Sequence, residues 1–405
     1  MLNDNKLTIV HKYGGSSVAT KEQIQAIANH IKKICDKGTK VVVVASAMGK
    51  TTNKLIEEAA SLSKKPSKRD LDLLLCTGEM QTVSLLSICL NGLGVRSVAF
   101  TGFQAGIVTN DNYNRAFIES LDIAKINNAL QEVDVVVVAG FQGITRSGEI
   151  TTLGRGGSDT TAVAIASMLN CACEIYTDVD AVRTIDPNLF KDAKSIHSIS
   201  YDEMMEMSVN GAKVLEARSV ELAKKNGVKL YLGKTLNEDK EKGTYVGNVE
   251  KFEDMPITSL SIKEHMCVLN LKIDKQCFKQ VAEVFEVIEI CGLNLEMISQ
   301  IIYDEQILFS FSMPKEKLDE VINALKERCA FTNSDMFVVN DLCKVTLVGV
   351  GIATHAEICK KLFHMLYANK VLVGHINVSE IAVSFTVKEE DVSTVISSVA
   401  KEFKL

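Results

Sequence analysis

Lys12, Arg155, Ser158 and Asp159 stand in or beside glycine-rich turns, and their types suit the chemistry of anions. In TTLGRGGSDTTAVAIASML, residues 151–169, two threonines lead into a glycine turn that feeds a small-residue helix. Gly156 and Gly157 strip bulk from that turn, and Ser158 with the adjacent N–H groups suits an anion. The two-pronged donor face of Arg155 suits a carboxylate, and Asp159 could orient a lysine or a metal-bound phosphate. A helix cap by Ser158 or Asp159 is the plain structural alternative. In HKYGGSSVATKEQI, residues 11–24, a strand ends at Gly14-Gly15, and Ser16-Ser17 lead into a helix. Lys12 stands just before that turn, where its ammonium can reach a terminal phosphate. In ASAMGKTTNKL, Gly49-Lys50-Thr51 mimics the end of a Walker A motif. That motif needs glycine five positions before Gly49, where Val44 stands, so a P-loop reading fails. Gly154-Arg155-Gly156 opens like a dinucleotide fingerprint whose last glycine falls on Asp159, and GVGIAT near 350 lacks its third glycine. A Rossmann oxidoreductase is disfavoured on both counts.

The elements that must position these residues alternate over the first 250 positions. Runs rich in valine and isoleucine at 7–14, 40–47, 95–100, 133–141, 173–179 and 228–233 read as strands covered on both faces. KEQIQAIANHIKKICDKG carries apolar residues at helical spacing and stops at Gly38; 71–90 and 219–227 read as further helices. Alternating βα units predict an open, mainly parallel sheet between helix layers, with ligands at the strand C-termini. At 234–248 the pattern breaks into charge and glycine, which places the domain boundary. Beyond it the order β-α-β-β-α occurs twice, an internal repeat of two small α+β modules.

The formal net charge of −6 is mixed along the chain, and the densest basic run, KKPSKRD at 64–70, is short. No nucleic-acid partner is expected. The 11 cysteines are scattered through apolar runs, and Cys171 and Cys173 do not form a CxxC, so free buried thiols in a reducing cytoplasmic setting are expected. MLNDNKLTIV has no apolar signal core and no run approaches ~18 apolar residues, so neither export nor a membrane partner is expected. The seven histidines lack ligand spacing, and no metal site made of protein ligands alone is expected.

KYGGSS at 12–17, SAMGKTTN at 46–53, CTGE at 76–79, TGFQAG at 101–106, AGFQG at 139–143, TTLGRGGSDTTA at 151–162, TDVDAVRTIDP at 177–187 and GAKVL at 211–215 occur in the order seen in aspartate kinases. The chain resembles that family over nearly its whole length, and its C-terminal modules resemble tandem ACT domains. The resemblance implies an amino acid kinase fold, an open mainly parallel sheet in an αβα sandwich, over 1–248. Two α+β ferredoxin-like ACT domains would follow over 262–335 and 341–405. It implies phosphoryl transfer from ATP, with Mg²⁺ carried on the ATP oxygens, to the β-carboxylate of L-aspartate.

The resemblance also assigns roles. Lys12, Asp159 and Lys213 would be catalytic. Ser46, Thr52, Glu79, Arg155 and Ser158 would hold aspartate, with Glu79 on its ammonium and Arg155 on its α-carboxylate. Lys12, Tyr13, Gly14, Gly15, Ser16, Gly156, Gly157, Thr177, Asp178, Arg183, Asp186, Lys213 and Val214 would meet the nucleotide. Plain alternatives stand beside these: Glu79 as a first-turn helix acid, Lys213 as a surface lysine, Thr177 and Asp178 as a turn cap. Asp274, Asn294, Gln300, Thr354 and His355 fall where an amino-acid effector is expected, lysine first and threonine second, in a homo-oligomer paired through the ACT domains. The chain departs from the family pattern in Ala181 for glycine, Arg183 for an aromatic residue, Asn188 for arginine, and Glu216-Ala217 where many members have His-Pro. DKQC at 274–277 replaces the usual D-K-P-G, and Leu372-Val373 replace a common Asn-Ile. A glutamate 5-kinase is disfavoured by the tandem ACT pair, and a catalytically silent amino-acid sensor by the joint presence of Lys12, Glu79, Arg155 and Asp159.

Overall fold

Valine runs buried on both faces dictate a central parallel sheet. The computed structural model describes residues 7–212, 214–249, 257–294 and 296–405. The chain forms two compact units. The first comprises Met1–Arg183, Ser195–Val209 and Lys213–Phe252; the second comprises Thr184–Lys194, Asn210–Ala212 and Glu253–Leu405. Two short segments within the stretch expected to form the kinase domain thus belong to the second unit.

The first unit's strands are β1 (Thr8–Tyr13), β2 (Lys40–Ala45), β3 (Ser97–Phe100), β4 (Ile107–Thr109), β5 (Ile118–Leu121), β6 (Val135–Ala139), β7 (Gln142–Thr145), β8 (Ile150–Thr152), β9 (Cys173–Thr177), β10 (Ser198–Ser200), β11 (Leu230–Lys234) and β12 (Thr244–Gly247). Its helices are α1 (Lys21–Cys35), α2 (Thr51–Leu62), α3 (Lys68–Gly92), α4 (Ala124–Glu132), α5 (Gly157–Leu169), α6 (Tyr201–Val209) and α7 (Ala217–Asn226). The large sheet runs β10-β12-β11-β9-β1-β2-β6-β3, and every pairing from β11 to β3 is parallel. The C-terminal ends of β1, β2, β6 and β9 therefore open on one side, and the loops after them carry KYGGSS, SAMGKTTN, AGFQG and TDVD.

Two features escaped the periodicity, and a third, the helix expected at 71–90, is longer than expected. The charged stretch at 234–248 contains β12, which pairs antiparallel with β11. Strands β4, β5, β7 and β8 form a second sheet, too short to show alternation. Helix α3 has 25 residues and is apolar enough to cross a bilayer by length and composition. It is a core helix: Leu75, Val83, Leu86 and Leu90 are buried, and so are Asp72 and Glu79.

The second unit repeats one pattern. It contains β13 (Ser259–Asp274), α8 (Lys279–Ile290), β14 (Ile298–Tyr303), β15 (Gln306–Pro314) and α9 (Leu318–Cys329). Then come β16 (Met336–Val348), α10 (Ala356–Ala368), β17 (Ile376–Val378), β18 (Ala382–Lys388) and α11 (Val392–Phe403). The two modules share one antiparallel sheet, β14-β15-β13-β16-β18-β17, with the first strand of each at its centre. Alternation sends Leu269, Leu271, Val345 and Leu347 into the helix-covered cores, where Ile185 and Ala193 of the transferred segment also pack.

At the junction of the modules, Lys263 of β13 stands directly opposite Lys344 of β16. Like charges so placed repel. Glu296, its side chain only 2% exposed, accepts from both, with Lys344 Nζ at 3.3 Å. Removing one partner of a buried ion cluster leaves uncompensated charge, a cost of about 3–5 kcal/mol. Glu296→Gln is accordingly expected to lower the second unit's unfolding free energy by that order. Urea unfolding of the variant within ~1 kcal/mol of the parent, the range of an exposed pair, would contradict it.

Candidate active site

Strand alternation separates the chemistry of β1 from its packing. Lys12 faces α5, and its Nζ lies 2.6 Å from Asp159 Oδ1, with both side chains about nine-tenths buried. His11 and Tyr13 face the other way. Tyr13 is fully buried and stacks on Tyr176 at 5.3 Å between ring centroids. Its side chain belongs to the core, which corrects the expectation that it meets the nucleotide. On that same face, burial raises the Glu174 carboxyl, but the hydrogen bond and charge of His11, with Lys240 and Tyr176, hold it at about 2. This network ties β1 to β9 beneath the strand ends.

The loop after β1 locks to the loop after β2. Gly49 N–H donates to Gly15 O at 2.9 Å, and Ser46 N–H to Tyr13 O at 3.1 Å. A Cβ at Gly15 would stand 2.8 Å from Ala47 O, so only glycine permits the approach. Thr51 Oγ1 donates to Met48 O, which fixes the start of α2 and with it Thr52.

Glu79 lies in the middle of α3, which excludes the first-turn reading. It is 3% exposed; Oε1 accepts from Ala47 N–H at 3.1 Å, while Oε2 is buried without a partner among the described residues. Burial pushes its carboxyl up to about 7, against the hydrogen bonds from Ala47 and its own N–H. Its neighbour Gly78 lets the loop close in, since a Cβ there would meet Ala47 Cβ at 2.8 Å.

The GRGGSD turn is held by its surroundings. Gly154 and Gly156 have φ of +79° and +66°. Gly156 is the N-cap of α5, and no side chain caps the helix. Ser158 and Asp159 sit buried inside the first turn, so the cap alternative fails. A Cβ at Gly140 would stand 2.7 Å from Ser158 Cβ and Oγ. At Gly157 it would meet Leu153 Cβ at 2.9 Å, and at Gly156 the Glu216 side chain. The space beside both turn glycines is thus filled by protein, and what they can offer a ligand is backbone N–H. Arg155 points outward and is exposed. Asp72, which the sequence reading missed, accepts from Asn114 N–H at 2.9 Å, Thr152 N–H at 2.8 Å and Thr152 Oγ1 at 2.7 Å. Its only signal was an acid inside an apolar helical run. It fixes the end of β8 just before the turn.

At the ends of β1, β9 and β11 a cleft of about 210 Å³ is lined by Ser16, Ser17, Thr177, Asp178, Lys234 and Thr235. Thr177 Oγ1 donates to Asp178 Oδ1 at 2.9 Å. The structure therefore gathers Lys12, Gly14, Gly15, Ser16, Ser46, Glu79, Ser158, Asp159, Thr177 and Asp178 at one end of the first unit's sheet. Arg183 closes the first segment of that unit, bridged to Ser195. Asp186 belongs to the second unit, and its carboxylate closes a turn by accepting from Asn188 N–H at 2.8 Å. Lys213 lies outside the described residues, and Val214 beside it is half-buried. In the second unit Asp274 accepts from Gln276 N–H at 2.8 Å, and Asn294 and Gln300 are exposed, Gln300 on the sheet-edge strand β14. Thr354 and His355 both turn back onto Gly351 O.

A buried ammonium paired to a carboxylate, a second carboxylate with an open oxygen and an exposed guanidinium can align a zwitterion against a polyanion. Alignment and cations are the main needs of phosphoryl transfer. Residues 7–234 match the amino acid kinase family, and residues 345–403 match an ACT domain. The aspartokinase of Geobacillus stearothermophilus is 38% identical over 400 residues, spanning 98% of this chain and 97% of the relative. Escherichia coli aspartokinase III, solved with aspartate and ADP in the R-state, shares the fold at a TM-score of 0.78 and 24% identity, over 97% of this chain and 99% of that one. The same enzyme solved with lysine and aspartate in the T-state gives 0.74 and 24% identity, over 98% and 99%. An amino acid kinase domain, an ACT domain and a relative matched over almost the whole chain agree, and this chain belongs to the aspartokinase family.

Proposed function

We propose that the chain transfers the γ-phosphoryl group of Mg²⁺-ATP to the β-carboxylate of L-aspartate, giving 4-phospho-L-aspartate, the first step toward lysine, threonine and methionine. The observation that carries the reading is Glu79, a buried carboxylate with one oxygen bonded and the other without a hydrogen-bond partner among the described residues. The aspartate ammonium fits that vacancy. Arg155 takes the α-carboxylate, with Ser46, Thr52 and Ser158 around the acceptor. Lys12 meets the transferred phosphoryl group, held in place by Asp159. Lys213 and Val214 join it at the phosphates, and Gly14, Gly15, Ser16, Gly156 and Gly157 offer backbone N–H groups. The nucleoside lies in the cleft at Thr177 and Asp178. Mg²⁺ arrives on the ATP oxygens and neutralises charge there. The acceptor is already a carboxylate, so no strong base is needed.

Incubation with ATP, Mg²⁺ and hydroxylamine is expected to trap a hydroxamate from aspartate and little from glutamate. No product from aspartate would overturn the reading in favour of an amino-acid sensor.

Glu79 gives the reaction a pH signature. Only its ionised form attracts an ammonium, and its carboxyl titrates at about 7. The KM for aspartate is expected to fall roughly tenfold between pH 6 and pH 8. Glu79→Gln raises KM and flattens that dependence; an unchanged profile in the variant would remove Glu79 from the site. Linkage runs the opposite way in the ligand-free protein. The folded-state value lies above the unfolded one, so this group's contribution to stability is complete below about 4.5 and lost as pH rises through about 7. The loss is on the order of 3 kcal/mol.

Lysine is the proposed effector, acting through Asp274, Asn294, Gln300, Thr354 and His355 in a cytoplasmic homo-oligomer paired through the ACT domains. The lysine-bound T-state of the Escherichia coli neighbour supports the choice of lysine as effector. Asn294→Ala is expected to raise the lysine concentration for half-inhibition at least tenfold, a loss of about 1.4 kcal/mol. Inhibition at the parental concentration would sink the assignment.

A further inference from the structure

We propose that Glu216 is a resident counter-anion of the acceptor subsite, competing with the substrate's carboxylate for Arg155 and so setting the KM for the amino acid. The inference rests on the acceptor reading above and adds a residue outside the roles assigned there.

Its geometry is specific. Glu216 is the N-cap of α7, and its carbonyl accepts from Ser219 N–H at 3.0 Å. Its side chain makes no cap hydrogen bond. It lies across Gly156 instead: a Cβ there would collide with Glu216 Cβ and stand 3.3 Å from its carboxyl carbon. Gly156 is glycine because of its φ of +66° and because this carboxylate arm occupies the space beside it. The acid is thereby laid on the turn that presents Arg155 on one side and Ser158-Asp159 on the other.

The charged groups that face it sort into rivals and attractors. Burial contributes most to raising its carboxyl above the ordinary range, and Asp159 adds to the rise; Arg115, Arg155 and Arg218 oppose it. Arg218 is already committed. It donates to Leu153 O at 3.1 Å and stands 4.4 Å from the centre of the Phe117 ring. Neither Arg115 nor Arg155 makes a side-chain hydrogen bond or ion pair among the described residues, and of the two Arg155 adjoins Gly156, which the Glu216 side chain overlies. An incoming carboxylate meets Arg155 with a resident anion already in its field. Neutralising Glu216 removes the competitor, and the repulsion it exerts on the incoming anion, without touching a hydrogen bond that holds the turn.

The test is Glu216→Gln in the whole chain, with Glu132→Gln, an exposed residue at the end of α4, as a control of equal charge change. The KM for aspartate is expected to fall at least threefold in Glu216→Gln, with the KM for ATP within twofold of the parent. The control should shift neither. A KM for aspartate that is unchanged or raised overturns the proposal. Glu216→Asp keeps the charge but withdraws it by one methylene, and a smaller fall in KM is expected there; if the glutamine variant does not fold, an unchanged KM in the aspartate variant overturns the proposal. Calorimetric titration with L-aspartate reads the same competition without turnover, and affinity that does not rise in the variant counts against it. A parent that makes no hydroxamate from aspartate fails the acceptor reading. A parent that makes it while the variants bind aspartate as the parent does fails this inference alone.

Discussion

An ammonium and a carboxylate 2.6 Å apart, both nearly out of water, join the end of β1 to the first turn of α5. Two desolvated charges tolerate each other at that depth only when each is the other's partner. The pair therefore fixes where the glycine turns must run. Lys12 is placed by strand alternation, and Asp159 by a helix that begins at a positive-φ glycine. Asp72 clamps β8 just before that turn, and Gly140 yields its side-chain space to Ser158. The loops after β1 and β2 close on one another through glycines that a single methyl group would force apart. The polar end of the sheet is thus built from backbone approach, with a few buried charges as its fixed points.

Much of this was legible in the chain. Valine runs revealed β2 and β6, because a strand covered on both faces has no alternation to hide. Helical spacing revealed α1, and the repeated β-α-β-β-α order revealed the two modules. The placing of KYGGSS followed from parallel strands opening toward one side, whereas GRGGSD follows β8 of the second sheet, which the periodicity did not show. Tyr13 was misplaced because a motif read as a string ignores the alternation that turns its ring into the core. Gly156 and Gly157 suggested room for a ligand, but glycine records only that something comes close. Here that something is Glu216 in one case and Leu153 in the other. Strand β12 and the small second sheet were missed because strands of three or four residues carry too few positions for a period. Asp72 carried no motif at all.

The two units use buried charge differently. In the second, Glu296 answers two lysines on neighbouring strands, so each strand of the central pair depends on a loop that precedes β14. Asn294 stands two positions before that glutamate and Gln300 four after it. The cluster therefore holds in register the segment on which an exposed edge residue is displayed. In the first unit the charges are left in surplus: Glu79 Oε2 has no partner among the described residues, and Arg155 faces outward. One pattern closes on itself, and the other is open at both ends.

That contrast can be drawn within a single helix. Asp72 and Glu79 are two turns apart on one face of α3, and both are buried. Burial raises the carboxyl of each above its ordinary range. Asp72 accepts three hydrogen bonds from Asn114 and Thr152, so its charge is answered by the fold itself. Glu79 receives one from Ala47 and keeps a second oxygen that nothing described satisfies. A fold selected only for stability would place an apolar residue or a second donor at that position, since an unanswered buried carboxylate costs several kcal/mol. A proton relieves it at low pH, which is why burial lifts this carboxyl to about 7; near neutral pH a cation would do the same. The same helix thus carries one acid whose hydrogen bonds the fold supplies and another that keeps an oxygen without a partner among the described residues.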